Sequence, residues 1–196
     1  MIAARHMAWL ATASLALLAS QGARADAVTE QLDKAAAAYQ QHDVPGTIAA
    51  LDVATTLLRQ GRADALQALL PSPPPGWSAD PAETSSLSAA MLGGGTSATR
   101  TYHHDDQQVV VQFTADSPML QSVATLISGP LAESAGIRTV MVGGRALGYT
   151  LKDNGYITLV ADKVVVKIDG NTAVPEPVLR SFVAAIDFDA IEKLAH

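Results

Sequence analysis

Cysteine is missing from all 196 residues. That absence excludes disulfides, thiolate metal ligands, a cysteine nucleophile and a lipidated N-terminal cysteine. Aromatic residues make up only 5% of the chain, so aliphatic side chains must supply most of any core. Positive charge is scarce too: 13 Lys and Arg stand against 19 Asp and Glu, a net of −6. An acidic surface repels phosphodiester backbones and anionic head groups, so neither nucleic acid nor an anionic membrane surface is an expected partner. The apolar run at the front, Met7 to Ala19, is too short to span a bilayer, for which about 20 residues are needed. No later segment approaches that length.

Catalytic signatures are lacking as well. The sequence contains no G-x-S-x-G elbow and no H-E-x-x-H helix, the patterns that mark serine hydrolases and zinc proteases. Gly93-Gly94-Gly95-Thr96-Ser97 has the small residues of a phosphate loop, but it lacks the lysine and leads into a strand pattern instead of a helix, so it reads as a strand entry. Gly143-Gly144 likewise opens no helix, which removes a dinucleotide fingerprint. No cofactor is expected, and no residue supports a catalytic assignment.

What is present begins with an address. Arg5 precedes the apolar run, and Ala23-Arg24-Ala25 supplies the small-x-small pattern cut by signal peptidase, so Met1 to Ala25 reads as a secretory signal peptide. The expected location is periplasmic or secreted, with no transmembrane segment once the leader is cut. Cleavage before Asp26 removes Arg5 and Arg24 and no acidic residue, leaving residues 26–196 at a net of −8.

Residues 26–70 carry a helical pattern. Leu32, Ala35, Ala36 and Tyr39 form one stripe; His42-Asp43-Val44-Pro45-Gly46 breaks it; Ile48, Leu51, Val53, Ala54, Leu57 and Leu58 begin a second. A Pro and a Gly in the break are the chemistry of a turn between antiparallel helices, so the spacing predicts a helical hairpin, its second arm extended or kinked at Gly61. The stretch AAAAYQQHDVPGTIAALDVATTLL resembles a single tetratricopeptide-type unit. Residues 71–77, PSPPPGW, cannot continue a helix and predict a stiff connector, with Trp77 anchoring it on the domain that comes next in the chain.

Residues 78–196 predict an α+β sandwich. Thr96 to Tyr102 and Gln108 to Thr114 read as two strands, and 137–169 as four more: Leu147, Tyr149 and Leu151, then Ile157 and Leu159, then Val164, Val166 and Ile168 recur with a period of two, which fits strands with one buried face. Asp153-Asn154-Gly155 is a tight-turn signal. The expected sheet is antiparallel, of about five or six strands, after an N-terminal helical hairpin. Helices cover it: Leu120, Val123, Ala124 and Ile127 follow Asp116-Ser117-Pro118, and Leu179, Phe182, Val183 and Ile186 follow Pro177, each set lying on one helical face. Asp189 and Glu192 suggest a capped final turn over Ala190 to Ala195.

One dense polar group stands out: His103, His104, Asp105 and Asp106, at the predicted tip between the first two strands. Imidazole and carboxylate together suit zinc, copper or nickel, so these four are the candidate metal ligands. The acidic pair Asp187 and Asp189 is explained by a helix stop and the next N-cap.

From Trp77 onward the order is Pro-Gly-Trp, two strands, a helix opened by Asp-Ser-Pro, a Gly-punctuated meander and a final helix, with VMVGGRALGY at 140–149 and VLRSFVAAID at 178–187 as its most telling stretches. This order resembles the PsbP-like α/β/α sandwich, which implies a noncatalytic extrinsic or accessory role in an exported compartment. The whole chain is similar to a family of exported proteobacterial proteins that join a helical hairpin, a Pro-Pro-Gly-Trp junction and such a sheet, and that similarity implies no biochemical activity. The expected function is therefore that of a soluble periplasmic binding or accessory protein, not an enzyme, acting through its surfaces on a protein partner in the cell envelope. The alternatives are metal capture by His103, His104, Asp105 and Asp106, and hydrolysis of cell-envelope material.

Overall fold

The computed structural model describes residues 8–85, 95–118, 120–128 and 132–195. The polar stretch 86–94, with most of the glycine run read as a strand entry, lies outside them. The chain divides into two compact units, Met1–Gly61 and Arg62–His196.

In the first unit, α1 (Ala8–Gln40) is followed by α2 (Val44–Ala68), which crosses the boundary. Helix α1 is continuous through Ala25, and α2 through Gly61. His42 ends α1 by taking a left-handed φ of 61°, which lets the Asp43 N–H reach the Ala38 carbonyl at 3.0 Å and satisfies a carbonyl that the helix end would orphan. Asp43 then starts α2: its Oδ1 accepts the Gly46 N–H at 3.0 Å, the usual device for an N-terminal turn. The helices run antiparallel, with the Arg24 side chain 3.7 Å from where a Cβ on Gly61 would sit.

The second unit is an antiparallel sheet of eight strands among the described residues. They are β1 (Ser78–Ala79), β2 (Glu83–Ser85), β3 (Thr96–His104), β4 (Gln107–Ala115), β5 (Ile137–Val142), β6 (Arg145–Thr150), β7 (Gly155–Val160) and β8 (Val164–Gly170), in the order β1-β3-β4-β8-β7-β6-β5, with β2 also on β3. The count exceeds the expected five or six because β1 and β2, two and three residues long, are too short to show a period and are held by the edge of β3. Three helices complete the unit among the described residues: α3 (Leu120–Ser128), α4 (Glu176–Ala184) and α5 (Phe188–Ala195). The capping carboxylate of α5 is Asp187, whose Oδ1 accepts the Ala190 N–H at 2.9 Å; Asp189, the expected cap, sits one position inside the helix.

Helices α4 and α5 cover the face that carries Tyr102, Val111, Phe113, Tyr156 and Ile168, all fully buried, with Leu179, Phe182 and Ile191 packed into the same core. Helix α3 lines the opposite face, where Ala124 and Ile127 share a cleft with Thr139, Ala146, Gly148 and Leu159. The sheet unit also takes in the end of α2 and the Pro-rich segment. Leu66 and Leu70 belong to the sheet core, and Arg62 pairs with Asp116 at 3.0 Å. The Tyr102 hydroxyl donates to the Pro71 carbonyl at 2.6 Å in a buried position. Trp77 packs edge-on against Phe182, with ring centroids 5.1 Å apart, and Phe182 packs against Tyr102 at 5.0 Å.

Tyr102→Phe keeps the ring and removes the hydroxyl, leaving the Pro71 carbonyl unpaired; a loss of about 1–2 kcal/mol in chemical denaturation is expected. At the β7–β8 turn, Ala161 holds a φ of 50°, a left-handed conformation that costs a residue with a Cβ about 1–2 kcal/mol. Glycine would relieve that strain while adding freedom to the unfolded chain. Ala161→Gly should therefore raise stability by up to about 1 kcal/mol, read as a higher melting temperature.

Candidate functional site

The four residues singled out for metal binding lie at the end of β3 and in the turn to β4. Alternation along the strand sends the two imidazoles to opposite faces of the sheet. His103 Nε2 lies 2.9 Å from Asp80 Oδ2, tying β3 to the segment after β1. His104 stacks on Trp77, with centroids 5.5 Å apart, and its Nδ1 is 3.7 Å from Asp105 Oδ2. Asp105 supplies the left-handed turn residue, φ 51°. Asp106 offers its backbone carbonyl to Asn171 Nδ2 at 2.7 Å. The fold thus brings His104 and Asp105 together, gives His103 a different carboxylate, and does not gather the four. Among the described residues no group of three or more His, Cys, Asp or Glu side chains is placed to hold a metal ion.

A polar network that sequence reasoning missed lies where β7 meets α4. The Tyr156 hydroxyl donates to Glu176 Oε1 at 3.0 Å, and Arg180 donates to the same oxygen through Nε at 3.1 Å and Nη2 at 2.9 Å. The Arg180 guanidinium, with the Tyr156 hydroxyl second, holds the Glu176 carboxyl below its ordinary range. Burial, with the hydrogen bond to Glu176 second, pushes Tyr156 up to about 12. Asn154 extends the network, accepting from the Tyr149 hydroxyl at 2.9 Å and donating to the carbonyls of Asn171 and Val174 at 3.0 and 2.9 Å. Glu176 and Arg180 sit four apart on one helix, a signal visible in sequence; their link to Tyr156, 20 residues upstream, is not.

The cleft under α3 measures about 360 Å³. It forms where the β6–β7 ladder, paired only over Gly148–Thr150 and Gly155–Ile157, opens toward Ala146 and Leu159. Asp162 is the one ionisable group among its described lining residues.

The hairpin unit has the least ordinary distribution of side chains. Among its described side chains the buried positions are Ala35, Ala50 and Ala54, which with the half-buried Val28, Gln31, Ala38, Thr47 and Leu57 form the seam between the helices. Apart from Val28 and Leu57, the larger apolar residues with described side chains face outward: Leu32 and Tyr39 on α1 are 47% and 70% exposed, and Val44, Ile48, Leu51 and Leu58 on α2 are 57%, 55%, 44% and 59% exposed. Each of them, apart from Val44 at the head of α2, sits one residue past a seam position, hence about 100° around its helix. In an antiparallel pair, equal displacements from the facing positions fall on the same side, so the two rows form one surface two helices wide. The sequence pattern put all of these but Val44, which it read as part of the break, into apolar stripes; of those stripes Ala35, Ala54 and Leu57 face the partner helix, while the bulkier members face away. Val53, 46% exposed, lies on the opposite shoulder.

Fold and surface together define an α+β chain with a two-helix front unit whose large apolar face is uncovered. The chain matches no protein-family model, no curated protein and no solved structure. Among the described residues, no helix is long and apolar enough to cross a membrane.

The raised Tyr156 value carries a pH signature. A phenol whose folded pKa lies above its unfolded value of about 10 contributes stability that is complete below pH 10 and is lost as pH climbs through the folded value. Stability measured by denaturant titration should fall between pH 10 and about 12. In Tyr156→Phe the fall should be shallower, from a starting point about 1 kcal/mol lower at neutral pH for the lost hydrogen bond.

Proposed function

We propose that the protein is a non-catalytic binding or accessory protein of an exported compartment, and that it works by docking protein on the outer face of its helical hairpin. One observation carries this reading: the hairpin buries alanines and presents leucine, isoleucine, valine and tyrosine to solvent. Burying a side chain of that size is worth about 1.5–3 kcal/mol, and a pair of helices acting alone would turn those groups inward. Contiguous apolar surface of this extent is the usual mark of a place where another chain sits. The sequence of Met1 to Ala25 supports the exported compartment, and the resemblance of the later elements to the PsbP-like sandwich is in keeping with an accessory role.

Tagged chain recovered from the periplasmic fraction under gentle lysis tests both halves. Wild type should retain bound protein, and the double variant Ile48→Glu/Leu51→Glu should lose at least about 10-fold of it, because charge at the centre of an apolar contact is left unpaired. Equal retention by the two proteins would remove the hairpin face as the docking surface. Recovery only from the cytosolic fraction would remove the compartment.

A further inference from the structure

We infer that the occupant of the hairpin's outer face is a second copy of this chain, two hairpins closing about a twofold axis into a four-helix bundle. The inference rests on the reading that this face docks protein, and it names the partner.

Spacing is the first argument. Val44, Ile48, Leu51, Thr55 and Leu58 are separated by four, three, four and three residues, the repeat that keeps an apolar row facing another helix. On α1, Leu32, Ala36 and Tyr39 continue the same alternation. The pattern gives one continuous apolar face of the kind that helical cover requires. A lipid surface calls for Lys and Arg along the borders of the stripe; here Asp33 and Asp52 border it with Arg59 as the one basic residue of that row, and the nearby Lys34 is paired with Glu30 at 2.6 Å.

Shape is the second. The outward rows of both helices share one side, so the cover must itself be two helices wide. A copy of the same hairpin, turned by the twofold operation, presents a face of that width and composition, and an isologous contact of this kind closes without leaving a sticky remainder. In the resulting bundle the alanine seams lie within each hairpin and the large side chains fill the middle, where they are needed.

Area is the third. From their fractional exposures, Leu32, Tyr39, Val44, Ile48, Leu51 and Leu58 leave roughly 600–700 Å² of surface open per copy, so complete burial between two copies removes at most about 1,300 Å² from solvent, at the lower end of the range of about 1,200–2,000 Å² of stable protein interfaces.

Sedimentation equilibrium on the purified chain across micromolar concentrations tests the inference. Wild type should be a dimer, and Ile48→Glu or Leu51→Glu should raise the dissociation constant by at least about 100-fold. Both positions are exposed, and far-UV circular dichroism should show the helices intact. The absence of cysteine gives a second measurement: in Leu51→Cys the only thiol lies mid-stripe, and mild oxidation should yield interchain disulfide much faster than in Lys152→Cys, on the sheet unit. A dimer indifferent to Ile48→Glu, with Leu51→Cys no faster to cross-link than Lys152→Cys, overturns the inference. A monomeric wild type whose capture of a different envelope protein depends on Ile48 and Leu51 overturns it while leaving the docking reading in place. A monomeric wild type with no stripe-dependent capture ends both.

Discussion

The buried hydroxyl of Tyr102 is the point on which the sheet unit depends. It is fully enclosed, and its 2.6 Å bond to the Pro71 carbonyl gives a backbone acceptor the partner that a proline-rich segment cannot find through regular structure. The Tyr102 ring meets Phe182 of α4, Phe182 meets Trp77, and Trp77 meets His104. The strap over 71–77, the outer strands and helix α4 are therefore held by one line of rings. Burial raises the Tyr102 pKa, which keeps the phenol a donor wherever the fold is intact. In a chain so poor in aromatics, most of those it has are placed here and at Tyr149 and Tyr156, whose rings lie 4.9 Å apart.

Much of this was legible in the sequence, and what was not has identifiable causes. The period of two marked the meander, but in β7 it chose the wrong face, since Tyr156, Thr158 and Val160 are buried while Ile157 and Leu159 are half-buried, and Leu151 lies exposed past the end of β6; the left-handed residues stand where Gly143, Gly144, Asn154 and Asp162 announced turns. Trp77 could be read as an anchor because a lone indole after Pro-Gly has few other uses. Two features escaped because they have no local signal. Strands β1 and β2 exist only by virtue of β3's edge, and the hydrogen bond that joins Tyr156 to the Glu176–Arg180 pair spans 20 residues. The reach of the sheet core into α2 was hidden too: Leu66 and Leu70 fall in the stretch past Gly61 that the helical pattern assigned to the hairpin's second arm, while contact places them with the sheet. At the β3–β4 tip, neighbouring histidines looked like a cluster because sequence proximity does not reveal that adjacent strand residues point apart.

The outer face of the helical hairpin illustrates the same limit. A helix with apolar residues over more than half its circumference has two candidate inner sides, and periodicity cannot choose between them. Interhelical distance chooses. Alanine at 35, 50 and 54 lets the backbones approach closely, and the bulkier row is then left to whatever else is available.

Strand β5 is the sheet's open border, and its outward groups are those of Ile137, Thr139 and Met141, since Arg138, Val140 and Val142 face β6 in the hairpin ladder. The Ile137 N–H is already bonded to the Ala132 carbonyl at 2.9 Å, and the Met141 carbonyl faces the Arg180 guanidinium at 3.5 Å. Only the middle of the border keeps free hydrogen-bonding capacity, too short a stretch to template a further strand. Arg180, held by Glu176, thus also occupies one end of this border.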